Sequence, residues 1–228
     1  MLEFSQPLRG VPVVITGAGG WLGQAALEMA HNAGAKIYAF GASARPYTLR
    51  HGATLPIHAL HELARLEARF TALGQALGIP TVLMRVFNLA GPFINKLDSY
   101  ALACIIRDIM ARRPVTLRAT HPVWRGYAHV ADVLNIALGL LLRGESPPVF
   151  DTWGEPIELS ALAARAAALL GWAGAEIIRP EWQNGAADKY LGDAVQYLAH
   201  AKTLGFEPAS LDRQVLDTAD YLGRCFPI

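Results

Sequence analysis

Val11-Pro12-Val13-Val14-Ile15-Thr16-Gly17-Ala18-Gly19-Gly20-Trp21-Leu22-Gly23-Gln24 is the stretch that decides the fold. Val11 to Thr16 is a short apolar, β-branched run that stops at glycines, the pattern of a buried strand ending in a turn. From Trp21 to Ala33 the apolar residues change period. Leu22, Ala25, Ala26, Met29 and Ala30 fall on one helical face, and Asn32 and Gly34 close the segment. Lys36 to Phe40 is a second strand. Strand, glycine turn, helix and strand make one βαβ unit, which requires a parallel sheet. Gly17, Gly20 and Gly23 stand as G-x-x-G-x-x-G between strand and helix. Small residues there let the backbone turn tightly and approach a pyrophosphate, while the helix N-terminus offers amides and a favourable dipole. The competing reading is a glycine turn that only packs helix on strand.

The rest of the chain bounds the answer. It has 228 residues, 53% hydrophobic and 17% charged, enough for one large domain with a sizeable core. Twenty basic and nineteen acidic residues leave a formal net charge of +1, so no global field points to nucleic acid or an anionic membrane. Cys104 and Cys225 give neither a disulfide framework nor metal spacing. No apolar run resembles a signal peptide or a membrane span, and a cytoplasmic protein is expected.

Further elements follow by period. Gly41 to Leu60 reads as irregular, with two prolines. His61 to Leu77 reads as a helix with Leu63, Leu66, Phe70, Leu73 and Leu77 on one side. Thr81 to Phe87 reads as a buried strand. Helices are predicted over Asp98 to Arg112 and Ala131 to Arg143, with a short strand between them near Val115 to Arg118. Ser160 is expected to cap Ala161 to Leu170, and Ser210 a last helix through Leu222.

The turn Thr16-Gly17-Ala18-Gly19-Gly20-Trp21-Leu22-Gly23 resembles that of the short-chain dehydrogenases/reductases. Other segments resemble the extended branch of that family, the nucleotide-sugar epimerases and dehydratases. They are Arg85 to Pro92 (RVFNLAGP), Arg125 to Val133 (RGYAHVADV), Tyr190 to Asp193, Ala201 to Pro208 (AKTLGFEP) and the helix start at Ser210-Leu211, in the family's order. The resemblance implies an α/β fold, a Rossmann-type doubly wound parallel sheet with a small C-terminal substrate lobe. Residues 1–228 would form a single NAD(P)-binding domain, with residues of about 88–110 and 145–228 contributing the lobe. Thr16, Gly17, Gly20, Trp21, Leu22 and Gly23 would hold the cofactor. Asn88 and Arg125 would lie near the diphosphate of a nucleotide-sugar, where an amide donor and a planar guanidinium suit phosphate. The competing reading of Arg125 is a solvated or structural ion pair. His129 is expected to fix a turn, and Asp132 to cap the helix after it.

Two departures qualify the resemblance. The family's Tyr-x-x-x-Lys pair is matched in position by His61 and Arg65. Histidine is a competent general acid or base, and at i, i+4 the two share a helix face. The same pair also reads as solvent-facing residues of an amphipathic helix. Residues 41–60 stand where the family carries several further strands and helices, so the sheet is expected to be reduced by an internal deletion and rearranged. Ser43 reads either as a cofactor contact or as the relic of a catalytic serine. No acid follows the second strand to hold a ribose hydroxyl, and Ser43 with Arg45 favours NADP over NAD. The reading is a divergent epimerase or dehydratase-like protein, with a non-catalytic nucleotide-binding or subunit-partner module as the alternative. A homodimer through the helix from His61 is expected, because shortening the sheet exposes backbone groups.

Overall fold

Residues 8–226 are described by a computed structural model, apart from 16, 17, 19, 42, 43, 60–65, 95, 96 and 184. They divide into two compact units, residues 1–81 and 82–228. The first holds β1 (Pro12–Ile15), α1 (Trp21–Asn32), β2 (Lys36–Gly41), β3 (Arg45–Thr48), β4 (Thr54–Ala59) and α2 (Leu66–Leu77). β1 and β2 pair in parallel, with Val13 opposite Ile37, and α1 packs between them in sequence as the βαβ pattern requires. Ala25, Met29 and Ala30 are buried on α1. The helix stops at Ala33, and Gly34 continues at φ +81°, a left-handed conformation open to glycine.

The segment expected to be irregular is a β-hairpin instead. β3 and β4 run antiparallel, and β4 also pairs with β2 in parallel, giving the order β1-β2-β4-β3. The prolines hid these strands. Pro46 and Pro56 face each other across the hairpin. Neither has an N–H, so they form a non-hydrogen-bonded pair and the ladder loses nothing. β3 is an edge strand, and Pro56 precedes the point where β4 begins to pair with β2 at Ile57. The parallel crossover from β2 to β4 thus passes through a strand, where a helix is usual. β1 is an end strand whose one partner among the described residues is β2. The sheet is rearranged, as the shortened sequence implies.

The second unit holds β5 (Met84–Arg85), β6 (Asn88–Ala90), α3 (Ala101–Met110), β7 (Val115–Thr116), β8 (Val123–His129), α4 (Val130–Leu142), β9 (Phe150–Asp151), β10 (Pro156–Glu158), α5 (Leu159–Leu169), β11 (Ile177–Ile178), β12 (Asp188–Tyr190), α6 (Ala194–Thr203) and α7 (Leu211–Cys225). β8 is the centre. It takes β10 antiparallel and takes both β12 and β6 parallel along its length. α3, α5 and α7 pack on one another, with Leu102, Ile105, Ile106 and Ile109 of α3 buried. α4 is apolar nearly all round and packs against β8 and α6.

Three local expectations need correction. The strand expected over Thr81 to Phe87 is only Met84–Arg85, and its residues are half-buried or exposed. Its parallel partner β9 is equally short, following Pro147-Pro148, which have no N–H to donate. The cap of α5 is Glu158, not Ser160, because β10 runs straight into the helix. The cap of α4 is His129, not Asp132: His129 Nδ1 accepts from Ala131 N at 3.2 Å. Asp132 accepts from Ala209 N at 2.8 Å and ties α4 to the segment entering α7.

Candidate functional site

Two places carry candidate chemistry, one in each unit. The first is the turn after β1. Ala18 is buried, Gly20 is extended at φ −85° and ψ 174°, and α1 starts at Trp21. Gly20 has no side chain to cap the helix, and its first turn contains no acidic residue. First-turn amides lack partners within a helix, so this end of α1 has the donor set and the dipole sign that suit an anion. Trp21 and Gly23 are buried and Leu22 is half-buried. The expected contacts Thr16 and Gly17 lie outside the described residues, as do Ser43, His61 and Arg65. Arg45 opens β3 with its side chain exposed. It stands in register with Ile57 of β4, which is in register with Ala39 of β2. Arg45 is therefore two strands from β2, roughly 10 Å away at the usual strand spacing.

The second place is one face of the sheet around β8. Pairing register puts residues of neighbouring strands on a common face. Asn88 pairs with Tyr127, Tyr190 with Arg125 and Asp188 with Val123, so Asn88, Tyr127, Arg125, Tyr190 and Asp188 share that face. Arg125 Nη2 lies 2.7 Å from Asp188 Oδ2, and Nη1 donates to Trp124 O at 2.8 Å. The guanidinium beside Asp188 holds that carboxyl below its ordinary value. Asn88 Nδ2 reaches Gly126 O and Tyr190 O, each at 3.4 Å. It bridges the place where β12 ends and β6 begins along β8. Phe87 and Tyr190 stack as tilted rings 4.7 Å apart. Burial pushes the Tyr127 phenol well above its ordinary value, which leaves it protonated and unfit as an acid–base group.

Backbones cross closely behind this face. A Cβ on Gly154 would lie 1.9 Å from Tyr127 O, and one on Gly192 would lie 2.1 Å from Thr152 O. The glycine of the Tyr190-Leu191-Gly192-Asp193 motif is thus explained by packing. Thr152 Oγ1 accepts from Phe87 N at 3.0 Å and fixes the approach to Asn88. His129 is buried at the corner where β8 becomes α4, with Nε2 3.4 Å from Asp217 Oδ2 of α7. Burial lowers its pKa, opposed by Asp132 and Asp217, so its task is to hold the turn.

Asn88 and Arg125, far apart in the sequence, are brought to one face, and Arg125 is a partner in an ion pair with Asp188. Asp188 and the pair Glu158–Arg179, 2.5 Å apart, were not legible. Asp188 lies just outside the quoted motif, and no local pattern announces a partner 63 residues away. No group of three or more His, Cys, Asp or Glu among the described residues is placed to hold a metal. None of their helices is long and apolar enough to cross a membrane.

Comparison with known proteins bears on the fold. A sequence model of the NAD dependent epimerase/dehydratase family matches residues 65–152. No curated protein matches the chain. Among solved structures, the UDP-glucose 4-epimerase of Thermus thermophilus, in complex with NAD, has TM-score 0.67 and 15% identity over 94% of this chain and 100% of that one. A UDP-N-acetylglucosamine 4-epimerase from Methanobrevibacter ruminantium, in complex with UDP-N-acetylmuramic acid, has TM-score 0.66 and 12% identity over 94% and 98%. The Bordetella bronchiseptica enzyme WbmF, in complex with NADH, has TM-score 0.67 and 14% identity over 95% and 93%. At these identities the likeness is one of fold. In fold over nearly its whole length, and in sequence over residues 65–152, the chain resembles the NAD dependent epimerase/dehydratase family.

Proposed function

We propose that this chain binds a nicotinamide dinucleotide at the glycine turn and a nucleotide-sugar against Asn88 and Arg125, and transfers a hydride at a sugar carbon. The observation that carries the reading is the start of α1. It follows a glycine turn, has no side-chain cap and has no acid in its first turn, so it fits a pyrophosphate. The structural relatives named above include complexes with NAD and NADH, and WbmF is also known in complex with NAD+ and UDP. Residues of about 88–110 and 145–228 supply the substrate lobe.

When bound, nicotinamide supplies a two-electron hydride acceptor. His61 would take the proton of the sugar hydroxyl at the carbon to be oxidised, and would return it in the reverse direction. Arg65 supplies positive charge and cannot itself give up a proton. Ser43 and Arg45 favour the 2′-phosphate of NADP. A cytoplasmic homodimer completes the reading. Its interface is α2, where Leu73 and Leu77 are 52% and 60% exposed and Ile79, just beyond, is 56% exposed.

A second reading has one observation in its favour. His61 and Arg65 replace a tyrosine–lysine pair, so a nucleotide-binding or subunit-partner module without catalysis is the alternative. Calorimetric titration with NADH and NADPH tests the first step. Micromolar binding, tighter for NADPH and levelled by Arg45→Ala, is expected. Absence of binding at millimolar cofactor would rule out the oxidoreductase reading. Turnover of a UDP-sugar that is lost in His61→Ala would separate the enzyme from the module.

A further inference from the structure

We infer that Asp188 is a built-in competitor for the anion that Arg125 binds, and that it sets how much phosphate a ligand must carry to be held. The inference rests on reading Arg125 as the phosphate-binding residue. The two sides of the guanidinium are held differently. Nη1 donates to backbone, to Trp124 O at 2.8 Å and to Asp188 O at 3.4 Å. Those carbonyls belong to paired strands and fix where the group sits. Nη2 is held by one movable group, the Asp188 carboxylate at 2.7 Å.

The backbone of Asp188 is anchored, since its N–H donates to Pro122 O at 2.8 Å and it pairs with Val123 on β8. Its side chain is not confined in the same way. It is 45% exposed, whereas that of Arg125 is 21% exposed. The carboxylate can rotate into water and leave the guanidinium where it is. A diphosphate arriving at Nη2 meets a like charge at hydrogen-bond distance, so the two anions exclude each other there. The tethered carboxylate is always present at high local concentration. A ligand must outbid it with several phosphate oxygens, and a neutral or singly charged ligand gains little from Arg125. Asp188 thereby discriminates by charge and keeps Arg125 paired in the free protein.

The test is calorimetric titration of the full chain with UDP, UMP and uridine. The variants are Asp188→Asn, Asp188→Ser and Arg125→Gln, each checked for an unchanged circular dichroism spectrum. Asp188 is on an exposed strand, so both of its variants are expected to fold. We expect UDP to bind either Asp188 variant about fivefold more tightly than the wild type, the scale set by an exposed ion pair. UMP is expected to gain at least as much and uridine nothing, narrowing the preference for UDP. If Arg125→Gln weakens UDP binding but both Asp188 variants bind it as the wild type does or less tightly, the competitor role is overturned and the Arg125 reading stands. If UDP binds Arg125→Gln as it binds the wild type, or binds no form of the protein, the Arg125 reading falls and the competitor role falls with it.

Discussion

Glu158 concentrates more interactions than any other carboxylate described in the second unit. It caps α5, accepting from Ser160 N at 2.7 Å, and it pairs with Arg179 at 2.5 Å. Burial alone would raise its pKa. The Arg179 guanidinium and the Ser160 donors overcome burial and hold it at about 2, against an ordinary value of 4.5. A carboxyl with a lowered folded-state pKa stabilises the protein above its unfolded value and ceases to as pH falls through the folded one. Glu158→Gln is therefore expected to cost about 3 kcal/mol at pH 7, as does breaking a buried ion pair. In urea denaturation the gap to wild type should narrow from pH 4.5 downwards and close near pH 2. An equal gap at pH 7 and pH 3 would show that the charge is not what stabilises the site. Nothing local in Pro156-Ile157-Glu158 announces this role, since Arg179 is 21 residues on. The serine two residues later carries the usual cap signature, but the helix starts earlier, and the carboxylate caps it by accepting from the serine's own amide. Asn88 and Arg125 could be singled out from the sequence because each lies inside a longer recognisable string.

At the level of elements, period alone located most helices. α1, α3, α4 and α7 lie where their apolar spacing puts them, and Ser210 caps α7 with Oγ accepting from Arg213 N at 3.3 Å. Strands were harder to find. β3 and β4 each contain a proline, which counts against a strand unless the missing N–H falls at an unpaired position, and only the fold reveals that. The strands around β8 are two to seven residues long and held by close backbone crossings. Those crossings make their glycines irreplaceable. Gly154→Ala is expected to destabilise the protein by about 3 kcal/mol or more, at the upper end for overpacking, because the added carbon meets carbonyl backbone that cannot turn aside. Gly144→Ala, where no atom lies within 4 Å of the added carbon, serves as the comparison. It meets only the strain of φ +72°. Thermal melts giving equal losses for the two would contradict the steric account.

For the whole molecule, the apolar stripe expected from His61 to Leu77 is described only from Leu66 onward, on α2, and its Leu73 and Leu77 are exposed. A sequence shows that a face is apolar without showing what covers it. If a second copy does, sedimentation equilibrium at micromolar concentration should give a dimer, and Leu73→Glu with Leu77→Glu a monomer with unchanged helix content. A wild-type monomer would refute the dimer. The hairpin crossover bears on how the chain acquires its fold. In the first unit, Ile57 pairs with Ala39 across a connection that holds only β3 and its hairpin turn, so the third parallel strand joins early at low closure entropy. In the second, β8 pairs with β12 across more than sixty residues. During synthesis the glycine turn is thus assembled while β8 still waits for a partner the ribosome has not yet made. Until residues 188–190 emerge, Arg125 has β10 on one side but lacks β12 on the other and the carboxylate that occupies it, and it is then that this face is most open to stray anions.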